Sequence, residues 1–159
     1  MAVTVRPIED KDRPALTRLL EERWAGPEIL IDGEMIDASA LPGFVAEDGG
    51  QLVGLVTVIK RPDEWEIVTL DSLNRWAGTG SQLLQAVVEE ARKAGLARVM
   101  TRTSNDNLDA FRFYQRRGFR LERVVHGVID EERKLKPEIP VSGQHGIPMH
   151  DEIVFARTL

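Results

Sequence analysis

The chain contains no cysteine. It therefore has no disulfide bond, no thiolate ligand for a metal and no thiol that could serve as a nucleophile. It also lacks an apolar run long enough to cross a membrane, and charged residues between positions 6 and 11 interrupt any apolar segment of the kind that a signal peptide needs. We expect a soluble protein of the cytoplasm.

Signatures of two common kinds of site are missing as well. The three histidines, His126, His145 and His150, include no pair four residues apart, which is the spacing that places two zinc ligands on one face of a helix. The Gly-x-Ser-x-Gly pentapeptide of serine hydrolases does not occur. We expect neither a metal site nor a hydrolytic serine.

What the chain does contain is typical of one globular domain. Its 159 residues include 42% hydrophobic and 30% charged residues, which suits a domain with a core of ordinary size. We expect a single domain covering residues 1–159. The formal net charge of −5 argues against nucleic acid as a partner.

The N-terminal part has the pattern of a short strand followed by a helix. Leu16, Leu20 and Trp24 recur at helical spacing, and Gly26 and the proline after it end the pattern. Residues 27–42 show no clear period. We expect them to form a loop or a short second helix over one end of the core.

The next segment predicts three consecutive strands. Residues 44–47 and 52–59 flank Asp48-Gly49-Gly50, and glycines supply the positive φ angles that hairpin turns need. Residues 65–72 then follow a second turn as another strand. These strands form an antiparallel meander.

The C-terminal half alternates strands with helices. Leu83, Leu84, Val87 and Val88 share one helical face, and strand 98–103 follows, which predicts a crossover between two parallel strands. The rest of this half predicts a helix from 107 to 118 and strands at 119–128 and 152–158. A long irregular connection at 129–151 separates these two strands. The fold class is α/β, with a mixed and mostly antiparallel sheet.

The chain is organised around the segment RWAGTGS at 75–81, between a predicted strand and a predicted helix. Glycines there expose main-chain N–H groups, and the first turn of a helix attracts anions, most often phosphate. A triphosphate loop would need Lys-Ser/Thr after its last glycine, but Gly80 precedes Ser81-Gln82. A dinucleotide fingerprint would need a third glycine where Leu83 stands.

The remaining pattern, Arg-x-x-Gly-x-Gly, resembles the pyrophosphate-binding turn of the GCN5-related N-acetyltransferases (GNAT). Residues 107–119 resemble the Asn-x-x-Ala-x-x-x-Tyr-x-x-x-Gly-Phe signature of the same family. The resemblance is strong over residues 65–119. It implies a GNAT fold with a splayed parallel strand pair, and an enzyme that transfers acetyl directly from acetyl-CoA to an amine in a ternary complex.

The resemblance also implies roles for individual residues. Glu66 takes the position of a general base, Tyr114 that of the general acid that protonates the leaving thiolate, and the N–H of Leu70 that of the oxyanion donor. The expected acetyl-CoA-binding residues are Leu70, Asp71, Ser72, Arg75, Trp76, Ala77, Gly78, Thr79, Gly80, Ser81, Asn107, Tyr114 and Arg116. Trp76 departs from the glycine that many relatives carry.

Several questions stay open at the level of sequence. The acceptor is a small-molecule or peptide amine, selected by residues 24–42 and 129–151, and a homodimer is compatible with the resemblance. A non-catalytic acyl-CoA-binding or regulatory module of the same fold is an alternative. A second alternative is a nucleotide-binding protein of another kind. That alternative predicts thermal stabilisation by NAD or ATP rather than by CoA.

Overall fold

The computed structural model describes residues 3–24, 26–73 and 78–159. Its elements in chain order are β1 (Thr4–Pro7), α1 (Arg13–Arg23), β2 (Glu28–Ile31), β3 (Glu34–Asp37), β4 (Gly43–Asp48), β5 (Gln51–Lys60), β6 (Glu64–Ser72), α2 (Thr79–Lys93), β7 (Arg98–Ser104), α3 (Leu108–Arg116), β8 (Arg120–Val125), α4 (Val128–Leu135) and β9 (Glu152–Thr158). No helix in the described part of the chain is long and apolar enough to span a membrane.

Seven strands form one mixed, mostly antiparallel sheet in the order β1-β4-β5-β6-β7-β9-β8. The neighbours β6 and β7 are parallel and are connected through α2, as the strand–helix–strand pattern predicts. The α/β fold class is thus confirmed. The residue contacts divide into two compact units, one up to Val99 together with Leu159 and the other comprising Met100–Thr158.

In the first unit, α1 and α2 bury apolar side chains against the meander. Leu16 of α1 clusters with Val45 of β4 and Leu55 of β5, and all three are fully buried. The buried side of α2 consists of Thr79, Leu83, Leu84, Val87, Val88 and Ala91. Removal of these side chains from water provides the main driving force for the packing of both helices.

A charged cluster fixes β1 against the start of α1. Arg6 Nη1 lies 2.8 Å from Asp12 Oδ2, and Arg6 Nε donates to Glu47 Oε1 over 2.9 Å. The hydrogen bond from Arg6, more than any other contact, lowers the pKa of Asp12 to about 2. This contact ties the strand that opens the chain to the strand that opens the meander.

A β-bulge interrupts the pairing of β5 with β6. Thr57 pairs with Thr69, whereas Val58 pairs with Ile67, so Val68 is an extra residue on β6. An extra residue reverses the alternation of side chains beyond it. From the sequence, regular alternation predicts that Glu66 and Leu70, four residues apart, share a face of the strand; the bulge shows that this prediction is wrong.

Gly54 of β5 permits the close approach of α2 to the sheet. A Cβ atom at this position would lie 2.9 Å from Asp71 O, 2.9 Å from Thr79 Cγ2 and 3.0 Å from Leu83 Cδ1. Such distances are shorter than ordinary contacts, so a side chain here would push the first turn of α2 away. Because Gly54 pairs with Ser72, this contact places that first turn beside the end of β6.

The expectation of a loop or short helix over residues 27–42 is wrong. Strands β2 and β3 form an antiparallel hairpin there, in which Ile31 pairs with Glu34. Its turn is Asp32-Gly33, with φ angles of 51° and 81°, which suits the two-residue turns that favour Asp-Gly. A short 3-10 helix, Ala38–Ala40, then leads to β4.

In the second unit, an aromatic cluster packs α3 onto β9. The ring of Phe155 lies 5.3 Å from that of Phe111 and 6.0 Å from that of Tyr114, and the Tyr114 ring lies 5.1 Å from that of Phe119. Strand β8 pairs with β9 and ends at Val125, three residues earlier than the sequence predicted. The predicted limits of the last strand are confirmed.

The connection between β8 and β9 is more ordered than its composition predicts, because residues 128–135 form α4. Arg133 of this helix donates to the main-chain oxygens of Ile139, Pro140 and Met149. Asp106 accepts hydrogen bonds from the Ser104 hydroxyl and, over 2.7 Å, from the Gln144 N–H. The segment is thus held at several points rather than being irregular throughout.

We predict that Gly54→Ala destabilises the protein by about 1–3 kcal/mol, because the added methyl group has no space between β5 and α2. Thermal and denaturant unfolding measure the effect. Gln51→Ala, at an exposed position of the same strand, is the control and should change stability little. Equal stability of the Gly54 variant and the wild type would contradict the described approach of α2.

Candidate active site

The main chain at the end of β6 presents polar groups away from β5. Leu73 N–H donates to Val53 O over 2.8 Å. In an antiparallel ladder such bonds join every second pair of residues, and the groups of the intermediate residues face the other side. Leu70 and Ser72 occupy intermediate positions, so their N–H and C=O groups are directed away from β5.

The first turn of α2 has the features of an anion site. Gly78, the N-cap residue, adopts the left-handed conformation with φ 67° and ψ 22° and contributes no side chain to cap the helix. Thr79 is almost fully buried, and its Oγ1 has no hydrogen-bond partner in the described part of the chain. Helix N-termini with exposed N–H donors bind anions. Gly80 and Ser81 complete this turn.

Three of the expected acetyl-CoA-binding residues, Arg75, Trp76 and Ala77, lie outside the described residues. Their assignment remains a prediction from the sequence. The described part of the same turn begins at Gly78.

Glu66 is fully buried and forms an ion pair. Its Oε1 accepts a hydrogen bond from Arg61 Nη1 over 2.8 Å, and the Arg61 side chain is about one-third exposed (32%). A buried carboxylate requires such a partner, because burial removes the water that would otherwise stabilise its charge. Glu66 is thus a buried group with a cation bound to it, rather than an edge carboxylate in solvent.

The bulge places Glu66 on the same face of the sheet as Thr69 and Asp71. Thr57 Oγ and Thr69 Oγ are 2.6 Å apart, which confirms that residues paired across the strands share a face. Leu70, one residue further along, points its side chain to the opposite face. This face of β6 therefore carries the carboxyl groups of Glu66 and Asp71 and the buried hydroxyl of Thr69, while the main-chain groups of Leu70 and Ser72 lie along the edge of the strand.

Asp71 has a neutral hydrogen-bond partner in Trp24, the C-cap residue of α1. The indole Nε1–H of Trp24 donates to Asp71 Oδ2 over 2.9 Å. Burial raises the pKa of Asp71, while the Trp24 hydrogen bond and the charge of Arg23 act in the opposite direction. Burial dominates because the carboxylate loses more stabilisation from water than these two groups return.

Tyr114 lies on the buried face of α3 with 8% of its surface exposed. Its ring contacts those of Phe113, Phe119 and Phe155 at centroid distances of 5.1, 5.1 and 6.0 Å. Aromatic contacts on three sides fix the orientation of the ring. The direction of the phenolic hydroxyl is therefore set by the packing of α3 and β9.

The other two expected residues of the second unit occupy the ends of α3. Asn107 is the N-cap residue, and its Oδ1 accepts a hydrogen bond from Ala110 N–H over 3.1 Å. Arg116 lies exposed in the last turn. The adjacent Arg117 stacks on the Phe113 ring at 3.9 Å, and its pKa is lowered mainly by burial.

Sequence patterns did not identify Arg61 as part of the site, and they included Trp24 only as the first residue of the segment 24–42 that was expected to select the acceptor. Arg61 contacts Glu66 across the β5–β6 turn. The sequence signal for this contact is that the two residues are five apart on either side of a predicted turn. The contact between Trp24 and Asp71 joins residues 47 apart and has no local signal. Within the described residues, no group of three side chains suited to metal binding was found.

Comparisons with known proteins agree on one family. A model described as the acetyltransferase (GNAT) family matches residues 7–119. YxbD of Bacillus subtilis (strain 168) is 34% identical over 158 residues, which cover 99% of each chain. The fold resembles that of an IAA acetyltransferase from Bacillus cereus ATCC 14579, with a TM-score of 0.73, 22% identity and coverage of 99% and 100%. It also resembles a GNAT family acetyltransferase from Elizabethkingia anophelis with acetyl-CoA bound, with a TM-score of 0.71, 17% identity and coverage of 99% and 98%.

Proposed function

The chain belongs to the GNAT acetyltransferase family, and on that premise we propose that it transfers an acetyl group from acetyl-CoA to the amine of a small molecule or peptide. Transfer is direct, within a ternary complex, because the chain has no cysteine to carry the acetyl group. Acetyl-CoA as the donor is supported by the relative from Elizabethkingia anophelis that binds it.

The single observation that carries this proposal is the position of α2's first turn beside the end of β6. Gly54 brings Thr79 to the level of Ser72, so N–H groups at a helix N-terminus and main-chain groups of a strand lie next to each other. CoA contains a diphosphate joined to an extended arm with amide groups. The diphosphate needs the N–H groups of a helix N-terminus, and the arm needs main-chain groups of a strand beside it. In this proposal, Gly78–Ser81 bind the diphosphate, and Leu70 and Ser72 bind the arm.

Leu70 has a second role in the proposed reaction. Its N–H, directed away from β5, donates to the thioester oxygen as negative charge develops there. A main-chain donor on a paired strand is held in place before the reaction, so its orientation costs little. The Leu70 side chain, which lies on the opposite face from Glu66, is not involved.

Glu66 is proposed as the general base. An amine attacks in its neutral form, so a base must accept its proton, directly or through a water molecule. Arg61 keeps the buried carboxylate paired until the acceptor arrives.

Tyr114 is proposed as the general acid that protonates the leaving thiolate. The aromatic contacts of its ring limit the directions in which its hydroxyl can point, which favours transfer of a proton to one fixed position. Asn107 and Arg116 are proposed as further contacts of CoA, in addition to the capping role of Asn107.

Calorimetry with CoA, followed by an assay of free thiol release from acetyl-CoA with a panel of amines, tests the proposal. We expect binding of CoA and amine-dependent release of thiol. The alternative, a non-catalytic acyl-CoA-binding module, predicts binding without release. An absence of heat with CoA would contradict both, and stabilisation by NAD or ATP instead would indicate a different nucleotide ligand.

We predict that Tyr114→Phe lowers kcat by about 10²-fold or more, because the variant keeps the ring but cannot donate a proton to the thiolate. The affinity for acetyl-CoA should change little, and calorimetry of the same variant provides that control. An unchanged kcat would remove Tyr114 from the mechanism.

We predict that Glu66→Gln lowers kcat/KM by about 10²-fold and changes the part of the pH–rate profile in which the rate rises with pH, because the amide cannot accept a proton. Glu64→Gln is the matched control, since Glu64 lies on the same strand and pairs with Arg98 over 2.8 Å. If both variants keep the wild-type profile, another group acts as the base.

A further inference from the structure

Asp71 and Trp24 form a carboxylate–indole pair on the face of β6 that also carries Glu66. Trp24 is 38% exposed, Asp71 is half-buried, and their side chains are joined by the 2.9 Å hydrogen bond. An aromatic ring beside a carboxylate is the combination that attracts organic cations, through the ring face and the negative charge together. The pair therefore has the chemistry of a cation site.

The electrostatics of Asp71 differ from those of Glu66. Glu66 has the guanidinium of Arg61 in direct contact, whereas the hydrogen-bond partner of Asp71 is a neutral indole and Arg23 acts on it only through its field. Burial therefore raises the pKa of Asp71. A bound cation would restore the stabilisation that burial removes, so the carboxylate gains from a positively charged ligand.

The segment that follows Trp24 in the sequence is acidic. Residues 26–42 contain no lysine or arginine. They contain four acidic residues, all exposed: Glu28, Asp32, Glu34 and Asp37. A surface of one sign raises the local concentration of oppositely charged ligands. The segment that follows Trp24 in the chain is therefore more compatible with a cationic than with an anionic ligand.

The cation held here cannot be the reacting amine itself. An ion pair with Asp71 would stabilise the protonated amine, whereas attack on a thioester requires the neutral form. A carboxylate adjacent in sequence to the oxyanion donor Leu70 is instead suited to a second positive group of the same molecule. Its role would be to position the acceptor while Glu66 removes the proton.

We propose that Asp71, with the ring of Trp24, binds a second, non-reacting cationic group of the acceptor, so that the substrate class is a diamine or another amine that carries an additional positive charge. This assignment rests on the proposed acetyltransferase function. It makes Asp71 a specificity-determining residue through its side chain, since its main-chain groups face β5.

Calorimetry with diaminobutane and with butylamine tests this assignment, because the two probes differ by one ammonium group. Each is titrated into the wild type, Asp71→Asn and Asp63→Asn, with and without CoA. Asparagine at 71 keeps an oxygen that can accept the Trp24 hydrogen bond but loses the charge. Asp63→Asn removes the same charge from the exposed β5–β6 turn and is the matched control.

We expect the wild type and Asp63→Asn to bind diaminobutane about tenfold more tightly than butylamine, and Asp71→Asn to bind both equally. Unchanged melting temperatures would show that Asp71→Asn acts on recognition rather than on folding. Equal affinities in the wild type, no binding of diaminobutane, or a preference that survives Asp71→Asn would overturn the assignment. Binding of CoA and release of thiol are measured separately, so a failure of the proposed function is distinguishable from a failure of this inference.

Discussion

The arrangement of the first unit depends on one extra residue in β6. The bulge at Val68 changes which side chains share a face, so that Glu66, Thr69 and Asp71 lie together although regular alternation would separate Glu66 from both. Without the bulge, Glu66 and Asp71 would lie on opposite faces of the sheet. The bulge therefore determines which polar side chains lie on the face assigned to the proposed acceptor.

In the proposed function, main-chain groups bind acetyl-CoA and side chains recognise the acceptor. The contacts assigned to acetyl-CoA come mostly from N–H groups of β6 and α2, and these need only a strand, a left-handed residue at Gly78 and a glycine at Gly54. Recognition of the acceptor is assigned to side chains, Asp71 among them. A cosubstrate site built from the main chain tolerates many sequences, whereas the acceptor face changes with each substitution.

The sequence predicted those elements whose signals are local. The glycines after Asp48 identified the β4–β5 hairpin, and the apolar stripe of Leu83 to Val88 identified α2, because turn geometry and helical periodicity are properties of neighbouring residues. The turn at Asp32-Gly33 carried an equally local signal, but the strands beside it are only four residues long. The bulge and the Trp24–Asp71 contact depend on tertiary packing, which no local pattern encodes.

The anchoring of the segment between β8 and β9 has a consequence for how this chain can vary. Asp106 contacts the main chain at Gln144, and a Cβ atom on Gly143 would lie 2.1 Å from its Oδ2, so a side chain at position 143 would displace the Asp106 carboxylate. The stretch around Val141 is highly exposed (64%) and lies between that anchor and α4. Its main chain is nevertheless hydrogen-bonded, because Arg133 donates to the oxygens of Ile139 and Pro140 and the Met149 N–H donates to Val141 O. Side chains that face solvent in this stretch can therefore change freely, whereas its length is restricted by the main-chain bonds on either side.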